Sequence, residues 1–258
     1  MKLPSSIAPT LTVALLAGSS VLVPGAAHAA VISAYDFQTG TGINAPGSTQ
    51  KLYSANFGAG ALYLNGTYTS SDWNAESGTT INQLFSSGGT AVNTEGTLLS
   101  ASTSGYGAIV FRQPQLATTN GTNTNGYRAT FTLDMEGYRD LTISYAAQQQ
   151  NANSYNTLSW EYSTNGVDWQ SIGSHSSFST TWSAYQLASF FGLDNVSTAY
   201  VRVTFDGANT NPSSGRAFYM DNILFEAEVI PEPTALGLLM MGGFVGAVVL
   251  RRRRMGQV

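Results

Sequence analysis

The chain has 258 residues with 11 basic and 15 acidic side chains, and its formal net charge is −4 at pH 7. It contains no cysteine, which excludes disulfide bonds and zinc sites built on thiolates. Without the two terminal segments described below, the central region keeps six basic and fourteen acidic residues, a net charge of −8. This charge disfavours nucleic acid and anionic lipid as partners of the central region.

The N-terminus has the pattern of a secretory signal peptide. Lys2 supplies an early positive charge, an apolar run covers residues 7–23, and the small residues of Ala-His-Ala follow at 27–29. A charged start, an apolar middle and a small-x-small exit are the features that a signal peptidase recognises. We expect residues 1–29 to form a signal-peptide helix that is cleaved after Ala29. The alternative, an uncleaved membrane helix, is disfavoured by three prolines in this segment.

The central region, residues 30–228, shows apolar and polar residues that alternate with a period of two. The apolar members are Phe131, Leu133, Leu141, Ile143, Tyr145, Leu158, Trp160, Tyr162, Val201, Val203 and Phe205. This period is typical of half-buried strands, and helical periodicity is nearly absent. We predict an all-β fold in which roughly ten to twelve short strands form a single antiparallel β-sandwich of jelly-roll type.

Two turns can be placed in this region. Asn165-Gly166 stands between two strand patterns, and this pair tolerates the positive φ angles of a tight β-hairpin. Asp206-Gly207 marks the end of a later strand.

Three tryptophans are candidates for stacking on sugar rings. Trp73, Trp169 and Trp182 lie near predicted turns, where exposure is expected, whereas Trp160 alternates with Leu158 in a strand and is assigned to the core. Burial in ordinary aromatic packing remains the alternative for all three, since it is the commoner fate of such side chains.

Calcium is the one cofactor that the sequence suggests. Asp36 lies in the first strand and Asp221 in the last, and these two strands are often neighbours in jelly rolls of this type. Carboxylates suit this hard ion. We hypothesise that Asp36 and Asp221, together with Asp206, share a structural Ca²⁺. The alternative is that each carboxylate hydrogen-bonds the backbone or faces water.

A catalytic site is not expected. His28 lies in the signal peptide, so His175 is the one histidine of the central region, and no nucleophile-elbow pattern accompanies it. Carboxylate pairs of the glycosidase type are conceivable. The candidate pairs are Asp134 with Glu136, Glu161 with Asp168, and Asp206 with Asp221. We interpret these carboxylates as surface charge, because exposed acidic residues are common.

The C-terminal segment, residues 229–254, combines three features. Pro231-Glu232-Pro233 precedes an uncharged apolar run of 17 residues at 234–250, and Arg251, Arg252, Arg253 and Arg254 follow it. As a helix this run spans about 25 Å, the short end of what a bilayer requires. The arginines hold that end of the helix in the cytoplasm. A buried core helix is the alternative, but the run has no polar face.

This order of tripeptide, membrane helix and arginine cluster resembles the PEP-CTERM sorting signal. The resemblance implies a Gram-negative bacterium whose exosortase, a membrane protease-transpeptidase, recognises Pro231, Glu232 and Pro233 and removes the helix. It also implies export across the inner membrane, a transient anchor there, and delivery to the cell surface or an exopolysaccharide matrix.

The second half of the central region has a looser resemblance. The segments Leu141–Tyr145, Trp160–Trp169, Tyr200–Asp206 and Phe218–Phe225 are similar to carbohydrate-binding modules and other lectin-like jelly rolls. The last of them has the aromatic-x-Asp-Asn-hydrophobic order with which such domains often close. The resemblance implies a β-sandwich and allows a sugar ligand.

Three functions are therefore open. The first is a non-catalytic exported protein of the envelope or the exopolysaccharide matrix, sorted by an exosortase. The second is a carbohydrate-binding module with a defined glycan. The third, a glycoside hydrolase, is disfavoured because the central region has a single histidine and no catalytic motif.

Overall fold

The structure is a computed structural model, and it describes residues 29–37, 52–64, 86–87, 89–96, 98–99, 107–113, 125–209 and 216–231. These residues contain strands, turns and loops but no helix, so the predicted all-β class is confirmed for this part of the chain. None of these segments is a helix long and apolar enough to cross a bilayer. Residues 1–28 of the predicted signal peptide, Trp73, Glu232, Pro233, the predicted membrane helix at 234–250 and the arginines at 251–254 lie outside the described residues.

Thirteen strands lie in the described residues, and they are numbered in chain order. The first six are β1 (Ala29–Tyr35), β2 (Leu52–Ser54), β3 (Phe57–Gly58), β4 (Ala61–Leu64), β5 (Ser86–Ser87) and β6 (Ala108–Gln113). The other seven are β7 (Tyr127–Leu133), β8 (Tyr138–Gln149), β9 (Thr157–Ser163), β10 (Gln170–Ser176), β11 (Ser183–Gln186), β12 (Ala199–Asp206) and β13 (Arg216–Val229).

The described strands form two antiparallel sheets. The six-stranded sheet has the order β10-β9-β12-β7-β4-β2. The seven-stranded sheet has the order β11-β8-β13-β1-β3, and β6 also pairs with β13 and β5 with β6. The long strand β13 pairs with β6 over its first residues and with β1 further on, while β8 lies along its other edge. Consecutive strands from β11 to β13 switch between the sheets, as in a jelly-roll-like sandwich.

Aromatic side chains hold the two sheets face to face. The ring centroid of Phe131 in β7 lies 5.0 Å from that of Phe225 in β13. The ring of Tyr145 in β8 lies 5.2 Å from that of Trp160 in β9, and Trp160 is fully buried, as its alternation predicts. Complete burial of a large apolar side chain contributes about 1.5–3 kcal/mol to stability. These contacts confirm the predicted β-sandwich.

Both ends of the described sandwich lie at one pole. Ala29 at the start of β1 pairs with Glu228 near the end of β13. The backbone N–H of Ile230 donates to the carbonyl of Gly137, and the Gly137 N–H donates to Asn195 Oδ1. We call this end of the molecule, defined by Ala29, Gly137, Asn195 and Ile230, the exit pole. The strand that begins at Ala29 includes the last residue of the predicted signal peptide.

Candidate functional site

The outer face of the six-stranded sheet presents a row of aromatic and hydroxyl side chains. Along β12, Val201 and Val203 face the core, so Tyr200 and Arg202 between them face outward. Tyr200 lies opposite Thr132 of β7, and Arg202 lies opposite Thr130. On the far side of β7, Tyr63 of β4 is the partner of Thr130. The sheet register therefore places Tyr63, Thr130, Thr132 and Tyr200 on one outward surface.

A pocket of about 190 Å³ is built on this surface. Its lining is Tyr63, Thr130, Thr132, Asn165, Gly166, Val167, Trp169 and Tyr200. Three of these residues are aromatic and none is charged. A concave site with aromatic walls and a few polar groups is the usual form of a small-ligand site.

The β9–β10 hairpin forms one wall of the pocket, and its shape is fixed by side-chain hydrogen bonds. Asn165 Oδ1 accepts hydrogen bonds from the backbone N–H groups of Val167 and Asp168, at 2.8 Å and 2.9 Å. Ser163 Oγ accepts from the N–H groups of Asn165 and Gly166, at 3.2 Å and 2.9 Å. Gly166 has a φ of 73°, and its backbone lies close to the Tyr200 ring. Strands β9 and β10 pair antiparallel, so the predicted hairpin is confirmed, but its loop covers residues 164–169 and Asn165 does not have a positive φ.

Trp169 is held in place by a charged pair beneath it. The guanidinium carbon of Arg202 lies 4.0 Å from the centroid of the indole ring. Arg202 Nε donates to Glu161 Oε2 at 2.6 Å, and its side chain is only 13% exposed. A guanidinium over an aromatic face is attracted by the ring quadrupole, more strongly when water is excluded. The Glu161–Arg202 pair therefore fixes the orientation of Trp169.

Thr130 supplies a polar atom with no partner in the described residues. Only 4% of the surface of this residue is exposed. The hydroxyl Oγ1 has no hydrogen-bond partner, although Thr130 lines the pocket. Buried hydroxyls are nearly always hydrogen-bonded, and leaving one unpaired costs about 1–3 kcal/mol. Because this oxygen is shielded from solvent, a ligand would reach it only after the Thr130 side chain or its neighbours move.

The sequence candidates for sugar stacking are separated in the structure. Trp169 lies in the pocket, whereas Trp182 lies beside the seven-stranded sheet with its ring edge-on to Tyr219 at 6.2 Å. Trp73 lies outside the described residues. Sequence reasoning missed Tyr63 and Tyr200 as site residues. Tyr200 does stand at an outward position of the β12 alternation, and that is the signal that identifies it.

The carboxylates considered for catalysis do not line the pocket. Asp134 accepts from the Glu136 N–H in an exposed turn. Glu161 pairs with Arg202, and Asp168 accepts from Asn165 Nδ2 in the hairpin.

The histidine considered for catalysis is also engaged elsewhere. His175 Nδ1 lies 2.7 Å from the Tyr145 hydroxyl, at the other end of β10 from Trp169. No nucleophilic arrangement involving His175 is present in the described residues.

Two of the three calcium candidates are neighbours. Asp221 is fully buried, and its carboxylate accepts from the backbone N–H groups of Thr90 and Asn222 at 2.8 Å and 2.7 Å. Burial raises the pKa of Asp221 to about 8; the two hydrogen bonds oppose this shift, and the negative charge of Asp36 adds to it. Asn222 Oδ1 is buried without a partner. Oxygen atoms in this arrangement fit the ligand preference of Ca²⁺.

Asp206 is placed apart from this pair. It lies exposed at the end of β12 in the six-stranded sheet, whereas Asp221 belongs to β13 in the other sheet. Within the described residues, no three His, Cys, Asp or Glu side chains are grouped closely enough to hold a metal ion. A calcium ion at Asp36 and Asp221 would thus need amide or carbonyl oxygens, such as Asn222 Oδ1, as further ligands.

Comparison with known proteins gives only distant likenesses. No protein-family model and no curated protein matches the chain. Among solved structures, the K3 adhesin domain of Lys-gingipain from Porphyromonas gingivalis is 13% identical, with a TM-score of 0.41 over 76% of this chain and 99% of that one. The xylan-binding CBM22-1 domain of Paenibacillus barcinonensis Xyn10C is 10% identical, with a TM-score of 0.38 over 79% and 98%.

A phage enzyme domain is similar to the same extent. The enzymatically active domain of tailspike protein 4 from bacteriophage CBA120 is 15% identical, with a TM-score of 0.36 over 65% of this chain and 19% of that one. These TM-scores are all below 0.5, so the similarities do not identify a ligand. The chemistry of the pocket has to identify the ligand.

Proposed function

We propose that the protein is a non-catalytic glycan-binding protein and that the pocket on the six-stranded sheet is its binding site. The observation that carries this proposal is the meeting of three aromatic rings with the polar side chains of Thr132 and Asn165 in one pocket. A sugar ring has an apolar C–H face that packs on an aromatic ring and hydroxyl groups that hydrogen-bond around its edge. The pocket offers both partners, with the hairpin wall already fixed by hydrogen bonds.

Substitution of Trp169 tests this proposal. We expect the wild-type domain to bind members of an immobilised panel of neutral and uronate-containing oligosaccharides. Trp169→Ala should weaken that binding by about tenfold or more, because truncating a central aromatic anchor typically costs about 2 kcal/mol.

Trp182→Ala is the matched control, since Trp182 lies beside the other sheet. It should leave binding unchanged. Binding that survives Trp169→Ala but is lost in Trp182→Ala would place the site elsewhere, and a panel without any bound glycan would contradict the proposed function.

We further propose that this domain acts at the cell surface or in an exopolysaccharide matrix. The support is in the sequence: the signal-peptide pattern of residues 1–29 and the sorting pattern of residues 229–254. Processing by an exosortase at Pro231-Glu232-Pro233 would release the domain from the inner membrane. A glycan-binding face suits a protein that is retained in a polysaccharide gel.

A structural calcium ion is proposed for Asp36 and Asp221. The support is the burial of both residues and the unpaired Oδ1 of Asn222, the residue that follows Asp221. A bound cation would offset the mutual repulsion of the two carboxylates, and it would tie β1 to β13. Asp206 is left out of this proposal because it lies in the other sheet.

A further inference from the structure

We infer that the pocket selects an uncharged sugar unit, and that Arg202 is a positioning residue for Trp169 rather than a binding partner for ligand charge. This inference rests on the proposed glycan-binding function and narrows its ligand class. It is carried by the charge of the pocket walls, by the arrangement of Glu161, Arg202 and Trp169, and by the volume of the pocket.

The described residues that line the pocket carry no formal charge. All eight lining residues are neutral side chains or glycine. A carboxylate that entered this pocket would lose part of its hydration without meeting a cation, and burial of an unpaired charge is costly. A sugar with only hydroxyl groups avoids this cost, since Thr130, Thr132 and Asn165 supply neutral hydrogen-bonding groups.

Among the described residues, the cation that contacts Trp169 is already paired with a carboxylate. Arg202 Nε bonds Glu161 Oε2 at 2.6 Å, and the two side chains are only 13% and 28% exposed. Arg202 does not line the pocket. The other arginine on this face, Arg128, lies one outward position further along the sheet, opposite Thr204, and it does not line the pocket either. The attraction that Arg202 offers to an anion is therefore largely cancelled.

Arg202 also limits which part of Trp169 meets the ligand. Its guanidinium covers one face of the indole at 4.0 Å, and Trp169 but not Arg202 lines the pocket. A ligand in the pocket therefore meets a part of the indole that the guanidinium leaves uncovered. The planar guanidinium of Arg202 stacks on one face of the ring, and the ammonium group of a lysine could not stack in this way.

The volume of the pocket limits the ligand to a short unit. At about 190 Å³ it is smaller than the roughly 300–1,000 Å³ that encloses a drug-sized molecule. We therefore expect one or two sugar units of a glycan to occupy the pocket while the rest of the chain stays outside.

Replacing Glu161 by glutamine tests the inference through a change of specificity. The wild-type domain should bind neutral oligosaccharides at least tenfold more tightly than uronate oligosaccharides of the same length, with little dependence on salt. In Glu161→Gln the Arg202 charge loses its partner, so uronate binding should strengthen several-fold and become sensitive to salt. A purely structural role of the pair would weaken both ligand classes alike.

Replacing Arg202 by lysine or methionine tests the positioning role. Both variants lose the planar stack on Trp169, so each should weaken neutral-glycan binding by about tenfold, and the retained charge of lysine should not rescue it. The inference would be overturned if wild-type protein preferred uronates with an affinity that falls steeply with salt, or if Arg202→Lys bound neutral glycans normally. In either case, loss of binding in Trp169→Ala would leave the proposed function standing.

Discussion

Thr130 and Thr132 are two threonines of the pocket that differ in their hydrogen bonding. Its hydroxyl is buried and lacks a partner, whereas the hydroxyl of Thr132 two residues further on accepts from the Ala61 N–H at 3.2 Å. Both side chains line the same pocket. The two residues have the same chemistry, but of the two hydroxyls only that of Thr132 hydrogen-bonds the backbone of the neighbouring strand.

We expect Thr130→Val to be as stable as wild type or more stable by about 1 kcal/mol, because it removes an unsatisfied buried hydroxyl. The same change should weaken glycan binding several-fold. Thr132→Val should instead lower stability, since it leaves the Ala61 N–H without its acceptor. Urea unfolding and glycan titration of the two variants check this. Unchanged glycan affinity in Thr130→Val would show that its hydroxyl does not meet the ligand.

His175 joins the two sheets through a neutral imidazole. It lies in β10 of the six-stranded sheet, and its Nδ1 lies 2.7 Å from the hydroxyl of Tyr145 in β8 of the other sheet. Burial raises the pKa of Tyr145 far above its usual value, so this hydroxyl keeps its proton. The ring of Tyr185 in β11 packs against the imidazole at 5.4 Å.

This contact predicts a loss of stability in mild acid. Burial lowers the pKa of His175 below 6.5, while a hydrogen bond to the backbone of Gln186 opposes the shift. Because the unfolded chain then takes up the proton first, the contribution of His175 is present above pH 6.5 and is lost as the pH falls through the folded-state pKa. His175→Gln keeps an acceptor for Tyr145 without titrating.

Urea unfolding at pH 7.5 and pH 5 compares the two proteins. Stability should decrease more between these pH values for wild type than for His175→Gln. Equal decreases would show that the imidazole carries no part of the acid sensitivity.

At the scale of strands, sequence patterns predicted the features that depend on residues close together in the chain. The alternation along β9 and β12 and the Asn165-Gly166 turn were enough to predict strands, a hairpin and the burial of Trp160. The pairing of β4 with β7 was not predictable, because it joins Ala61 to Thr132 across 71 residues and its register depends on packing. That pairing brings Tyr63, one of the three aromatic lining residues, to the pocket, so the sequence analysis could not identify it.

Thermal unfolding tests the proposed calcium site between the first and last strands. We expect the melting temperature of the purified domain to fall with a chelator and to recover with added Ca²⁺, since a ligand at 100 times its dissociation constant adds about 2.7 kcal/mol. Asp36→Asn should abolish the calcium-dependent shift. Asp206→Asn, whose carboxylate lies exposed in the other sheet, should keep it. An unchanged melting temperature on chelation would end the proposal.

Across the whole molecule, the pocket lies near the exit pole. Thr132 and Tyr200 stand one position from the pair Leu133 and Ala199, beside the turn that contacts Ile230. The last strand ends at Val229, two residues before Pro231. If the chain is anchored as proposed, the short connection from Val229 holds the binding face on the membrane side until the domain is released.

Mass spectrometry of the exported protein checks this processing. We expect the mature chain to begin at Ala30 and to lack the apolar run and the arginines at 251–254. An exported chain that retains those arginines would contradict removal of the membrane segment by an exosortase.

The central claim, glycan binding on the aromatic pocket, is tested most directly by the indole N–H resonances of an isotope-labelled sample. The chain has 4 tryptophans, and the three in the described residues differ in their surroundings. On titration with the neutral oligosaccharide that binds most tightly, the resonance of Trp169 should shift while those of Trp160, in the core, and Trp182, beside the other sheet, stay in place. A shift at Trp182 with Trp169 unaffected would contradict the account.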